Sequence, residues 1–304
     1  FEKDCNILSG FLINLDTNTF EDLLTANLPY MYSCILEFPF LAVVLQSLMT
    51  SNLPPATASK PYIKTMNDII LTFLITKIPT LANAEPIEAG VLQSLFKAIF
   101  QTIGRQADDP PMSPSWAPLL SGVVTQVLRL ATETKDPLNL FALLKYLFRN
   151  IPKHDIWSKE LAHSLPTIVD TINRIQENTS SQLLKDLLIE LPLTLPLRVS
   201  AMLPCFRLFL KPLLAALEAS ESEGYVYQSK SVHALRFLES YIGQFSAEFF
   251  EPLIAEHKPR LLRALWRHVR QPPATFTSQV MRILGKMGGR IRPYALPQLP
   301  ITND

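Results

Sequence analysis

The sequence predicts an all-α protein built from stacked helix pairs, and three observations carry that reading. Apolar residues recur at i, i+3, i+4 and i+7, as in Ile63, Met66, Ile70 and Phe73 or in Leu119, Val123, Val127 and Leu130. That is the period of a helix with one buried stripe. The 304 residues include only 9 glycines but 25 prolines, few for a chain rich in β-turns and many for uninterrupted helices. Helices punctuated by proline fit both counts. Finally, Pro118, Pro166, Pro212 and Pro259 follow one another at intervals of 48, 46 and 47 residues. Period-2 runs bounded by Asn-Gly or Asp-Gly turns are missing, so no sheet is predicted.

Read in order, the periodicity predicts helices over 19–37, 38–50, 60–78, 86–104, 115–133, 137–150, 155–177, 180–191, 197–218, 226–243, 247–270 and 275–288. Lys60-Pro61 and Asp136-Pro137 place proline near the first helical position, where its missing N–H costs nothing, and Ser180 precedes an apolar run. The stretch from Phe38 to Ser59 is uncharged and begins strongly apolar. Gln46, Ser47, Asn52, Pro54 and Pro55 cut that apolar run to about a dozen residues, well short of the roughly 20 of a membrane span, so it reads as a buried helix.

Each periodic proline falls early in every second predicted helix, and each is followed by an aliphatic pair: Leu119-Leu120, Ile168-Val169, Leu213-Leu214 and Leu261-Leu262. The interval matches, slightly stretched, the roughly 40–47 residues of a HEAT or armadillo repeat. The expected fold class is therefore an α-solenoid of HEAT-type helix pairs. One array is expected across 1–304, with an insertion or long loop near 105–115 and 218–227. Such pairs bury their apolar stripes only against neighbours, and Ile7, Leu8, Phe11, Leu12 and Leu15 resemble a helix facing a missing one. We therefore expect a fragment of a larger solenoid, packing against further repeats of the same chain. Phe1 opens no secretory signal pattern.

With 48% hydrophobic and 18% charged residues the chain can bury a core, which excludes disorder as its main state. Cys5, Cys34 and Cys205 are far apart and lie among apolar residues, so they form neither a disulfide framework nor a metal-ligand set, and a reducing compartment is expected. None of the histidines, His154, His163, His233, His257 and His268, pairs with another at i, i+4. Nucleophile-elbow and phosphate-loop motifs are missing too. No catalysis, cofactor or metal is expected. The one glycine cluster, GKMGGR over 285–290, follows a helical run and reads as a helix end with left-handed caps. Glu21, Asp22, Glu218, Glu221 and Glu223 read as surface, and Trp266 and Phe276 as core.

Charge is distributed unevenly. From His257 to Arg292 there are nine basic residues and no acidic one, so the rest of the chain carries 19 basic against 27 acidic residues beneath a net +1. Arg260, Arg263, Arg267 and Arg270 are spaced 3, 4 and 3 apart, on one helical face opposite Leu261, Leu265 and Val269. This ridge suits an acidic protein segment or, less well, nucleic acid; equally it suits a solvated face or ion pairs to acidic side chains of a neighbouring repeat.

Four segments carry a resemblance to a known family: DLLIELPLTLPLRVSAMLPCF over 186–206, KPLLAAL over 211–217, ALWRH over 264–268 and RILGKMGGR over 282–290. They closely resemble the transcription-associated protein family across about 137–292. Residues 1–136 are similar in pattern, including Phe1-Glu2-Lys3-Asp4 and Leu28-Pro29-Tyr30-Met31-Tyr32. The resemblance implies a very large HEAT-repeat protein ending in a kinase-like domain without catalytic residues, related to the phosphatidylinositol 3-kinase-like kinases. It further implies a nuclear scaffold in SAGA-type and related histone acetyltransferase complexes, partnered by their subunits and by acidic transcriptional activators. Direct nucleic-acid contact and membrane contact are not expected. The stretch from Glu218 to Tyr227 departs from the family in being longer and more acidic than the short turn expected there. The alternatives are an active kinase of the related family, or a transport or phosphatase scaffold built on the same repeats.

Overall fold

The computed structural model describes residues 15–50, 60–106, 113–151, 155–197, 202–218, 225–270 and 276–290. Among them all regular structure is helical: α1 (Thr17–Glu37), α2 (Ala42–Thr50), α3 (Lys60–Thr76), α4 (Ile78–Ala82), α5 (Pro86–Gln106), α6 (Ser113–Glu133), α7 (Leu138–Asn150), α8 (Asp155–Asn178), α9 (Gln182–Leu193), α10 (Phe206–Glu218), α11 (Tyr225–Gln244), α12 (Ala247–Ile254), α13 (Lys258–Arg270) and α14 (Thr277–Arg290). Single 3-10 turns at Pro39–Leu41, Leu203–Cys205 and Ala255–His257 lead into α2, α10 and α13. The apolar start at 1–15 and the two lengthened loops lie wholly or largely outside the described residues.

The chain divides into two compact units, Phe1–Leu187 with Thr194–Arg198, and Leu188–Leu193 with Val199–Asp304. In the first, α1 packs on α3, α3 on α6 and α6 on α8, making one layer. The second layer runs from α2 to α5 to α7, and α3–α5 and α6–α7 contacts join the two. Each helix thus meets the one equivalent to it in the next pair, the stacking of a HEAT repeat. The second unit repeats the scheme: α10 packs on α13, α11 on α14, and α10–α11 and α13–α14 close the pairs.

The core follows the helical period. The buried residues of α6 include Ala117, Leu120, Val123, Val124, Val127 and Ala131, and those of α8 include Trp157, Leu161, Leu165, Ile168, Val169 and Ile172. Each large aliphatic side chain removed from water in this way contributes about 1.5–3 kcal/mol before the cost of ordering the chain. Polar rungs mark the repeat length within the second layer. Gln46 Nε2 donates to Ser94 Oγ at 2.6 Å, and Gln93 Nε2 donates to Asn139 Oδ1 at 3.0 Å, across 48 and 46 residues of sequence. Adjacent residues of α5 therefore tie it to the helix before and the helix after.

Some expectations are corrected. Pro118, Pro166 and Pro212 lie inside helices, but Pro166 and Pro212 are mid-helix, and Pro259 is the second residue of a helix that starts only after the 3-10 turn at Ala255–His257. The predicted helix over 247–270 is therefore two, and Pro259 removes no interior hydrogen bond. Leu195, Pro196 and Leu197 are not helical, so the helix expected from 197 starts later, while the short α4 was not expected at all. The glycines of the cluster are not left-handed caps: all of 285–290 is helical, and α14 runs through Gly285, Gly288 and Gly289 to Arg290. No helix among the described residues is long and apolar enough to cross a membrane.

Candidate functional site

The arginine ridge lies on α13. Leu261, Ala264, Leu265 and His268 turn into the core, which fixes the rotation of the helix, and Pro259, Arg260, Arg263 and Trp266 are left exposed. Trp266, read from sequence as core, is 42% exposed; Phe276 is buried as expected. A tryptophan one turn from an exposed arginine is a composition enriched where proteins meet.

Two of the four arginines reach back to the end of α10. The Arg260 guanidinium forks onto both carboxylate oxygens of Glu218 through Nε and Nη2. This hydrogen bonding raises the arginine's pKa further above its already high ordinary value. Arg267 Nη2 donates to the Leu217 carbonyl at 3.0 Å, and His268 Nε2 lies 2.9 Å from the same oxygen. The last carbonyls of a helix have no partner within it and carry partial negative charge. Donors from the next repeat thus finish the end of α10. Arg263 is exposed and forms no ion pair among the described residues, while the side chain of Arg270 lies outside them.

Other cations of the basic stretch also meet carboxylates from elsewhere in sequence. Lys258, only 7% exposed, places Nζ 3.2 Å from Glu251 Oε1. Glu239 on α11 accepts from Gln279 Nε2 at 3.1 Å and Arg282 Nε at 3.2 Å, with Lys286 Nζ at 3.6 Å. Partial burial pushes the Glu239 carboxyl upward, but Gln279, Arg282 and Lys286 together outweigh it and hold its pKa below the ordinary carboxylate range. A depressed folded-state pKa adds stability at neutral pH, and that stability is lost as pH falls through the folded value. Glu239→Gln is therefore expected to lower stability by about 0.5–1 kcal/mol at neutral pH. The difference from wild type, read as urea midpoints, should vanish below the ordinary carboxylate range.

The described histidines do not converge: His163 is exposed, His233 Nε2 lies 3.4 Å from Glu190 Oε1, His257 is half-buried in the 3-10 turn before α13, and His268 serves α10, while His154 lies outside the described residues. Among the described residues no three His, Cys, Asp or Glu side chains are grouped to hold a metal ion. Cys34 and Cys205 are half-buried free thiols, and burial raises the pKa of Cys205.

Two layers of equivalent helices, stacked pair on pair and joined by repeat-spaced side-chain bonds, define a HEAT-type helical protein whose distinctive groups lie on its surface. The family model described as the Tra1 HEAT repeat central region matches residues 2–272. The chain belongs to this Tra1/TRRAP family of transcription-associated proteins. The SAGA complex/NuA4 acetyltransferase complex subunit Tra1 of Schizosaccharomyces pombe is 29% identical over 290 residues, covering 94% of this chain and 8% of that protein. The human transformation/transcription domain-associated protein is 28% identical over 286 residues, covering 93% and 7%. The Saccharomyces cerevisiae subunit TRA1 is 27% identical over 308 residues, covering 99% and 8%. The chain thus spans less than a tenth of the length of these relatives.

Proposed function

We propose that the chain is a non-catalytic scaffold segment of a transcription coactivator subunit, working in the nucleus within SAGA-type and related histone acetyltransferase complexes. The observation that carries this reading is the family match over residues 2–272, with relatives named as subunits of such complexes. The architecture suits the role: stacked pairs offer long surfaces to protein partners. On α13 the exposed Arg263 and Trp266 form the contact point for an acidic activator segment, and Arg260 and Arg267 hold the helix in place.

Co-purification tests both parts. The tagged full-length protein is expected to bring acetyltransferase subunits with it, and their absence would refute the coactivator assignment. Arg263→Glu should keep those subunits but bind acidic activator peptides about three- to tenfold more weakly at low salt, the scale of one exposed charge reversal. Unchanged peptide affinity would remove the ridge from the proposal.

A further inference from the structure

One face of α1 is spent on the core: Phe20, Leu24, Leu28, Tyr32 and Ile35 are buried, and the Tyr32 ring meets Phe73 of α3 edge-on at 5.7 Å. On another face, Asp16, Leu23, Tyr30 and Glu37 follow one another at intervals of seven residues. Seven residues fall about 20° short of two full turns, so the four side chains form nearly one line, about 30 Å long at 1.5 Å per residue. All four are exposed, Leu23 to 44% and Tyr30 to 72%. The line thus reads carboxylate, aliphatic, aromatic, carboxylate. Just past its end Phe38 and Phe40 are exposed as well, with ring centroids 6.1 Å apart.

Charge and shape select what this line fits. From Asp16 to Ser59 the chain has no Lys, Arg or His, while Asp16, Glu21, Asp22 and Glu37 are all exposed. Hydrogen bonds from the Thr19 hydroxyl and N–H hold the Asp16 carboxyl below its ordinary range, so it stays charged at the helix start. Lys77 does approach α1, but on the buried stripe, over the Tyr32 and Phe73 rings at 5.2 and 5.3 Å. Nucleic acid, an anionic lipid surface and an acidic peptide are therefore repelled, and a cationic segment is drawn in. The polar side chains along the face do not resist covering: Asn27 Nδ2 donates to the Leu23 carbonyl at 2.8 Å and Ser33 Oγ to the Pro29 carbonyl at 3.1 Å. No strand occurs among the described residues, so an extended segment finds no sheet edge, whereas a helix can lay its own heptad stripe along this one. Tyr30, Phe38 and Phe40 make the surface aromatic, as at contacts between proteins, while the stacking stripe of α6 is mainly Ala, Leu and Val.

We propose that the Asp16–Leu23–Tyr30–Glu37 face of α1 docks a basic amphipathic helix of a partner protein. That helix carries apolar residues at two successive heptad positions, with Lys or Arg one heptad before and after them. Its cations meet Asp16 and Glu37, and its apolar pair packs on Leu23 and Tyr30. The inference rests on the scaffold reading and adds to it a site of opposite charge to the ridge on α13.

Fluorescence anisotropy on the full-length protein tests it, with a fluorescein-labelled helical peptide that has Leu at two successive heptad positions and Lys one heptad to either side. A counterpart with Glu for Lys should bind more weakly. Asp16→Asn with Glu37→Gln, which keeps a capping side chain at 16, should weaken the Lys peptide about three- to tenfold. Leu23→Gln with Tyr30→Gln, both good helix residues on an exposed face, should weaken it about a hundredfold. Leu183→Gln, at an exposed leucine of α9, should leave binding unchanged. Equal affinity for the two peptides, or unchanged affinity in the Leu23/Tyr30 variant with native circular dichroism, would overturn the proposal. Hydroxyl-radical footprinting of the same full-length protein should show Tyr30 oxidised when alone and protected by the Lys peptide. Protection without peptide would also overturn it, because another repeat of the same chain would then cover the face. Co-purification of acetyltransferase subunits is read on the wild type, so its failure strikes the scaffold reading, whereas the peptide results strike the α1 face and leave the scaffold assignment standing.

Discussion

Phe206→Ala is expected to destabilise the second compact unit by about 3–5 kcal/mol, the range for removing a fully buried aromatic ring without refilling the space. Phe206 has no exposed surface, and its ring centroid lies 4.5 Å from that of Tyr241, 5.4 Å from Phe250 and 6.4 Å from Phe237. At the first residue of α10 it therefore touches both α11 and α12. Offset and tilted aromatic pairs add about 0.5–1.5 kcal/mol each beyond area burial, so Phe206→Leu should recover only part of the loss. Stacked repeats are coupled mainly to their neighbours and open piecewise. Native-state hydrogen exchange should accordingly show faster exchange in α10, α11 and α12. Wild-type exchange in those helices would show that the cluster does not hold them together.

Trp157→Ala should have an effect of similar size in the first unit, about 3–5 kcal/mol. Trp157 is fully buried in the first turn of α8, ahead of Leu161 and Leu165 on the same stripe, and α8 packs on α6. Removing the indole leaves a cavity at the start of the helix that the rest of the stripe is too far away to fill. A lower urea midpoint for the corresponding part of the circular dichroism transition, with faster exchange in α6 and α8, is the expected result. A midpoint within error of wild type would mean that the surroundings collapse into the space. Trp157→Phe should cost less, because the ring that remains fills much of the volume.

Much of this architecture was legible in the residues. Val123 and Val127 announce their shared face by spacing alone, although Leu119 and Leu130, read with them, are only half-buried and Leu120 takes the core position; the recurrent prolines with their aliphatic pairs gave the repeat length that Gln46–Ser94 and Gln93–Asn139 now express as contacts. What spacing does not carry is the partner. The four arginines of α13 look alike in sequence, yet Arg260 meets Glu218 and Arg267 meets Leu217, 42 and 50 residues earlier, while Arg263 meets solvent. Local charge counting made the stretch after His257 look uncompensated because its carboxylates, Glu218, Glu239 and Glu251, all precede it. Trp266 was misjudged for a related reason: hydrophobicity predicts burial only on the face that has a neighbour.

The carbonyl at the end of α10 sets a direction in time. Its donors, Arg267 and His268, are 50 and 51 residues downstream of Leu217. A ribosome delivers residues at roughly 5–20 per second. The last turn of α10 must therefore stay hydrated for about 3–10 s after it is made, until α13 arrives to complete it. During synthesis each pair emerges unfinished and is sealed by its successor, so this part of the array closes from the amino-terminal side onward. A stop codon between residues 218 and 267 would leave that helix permanently frayed.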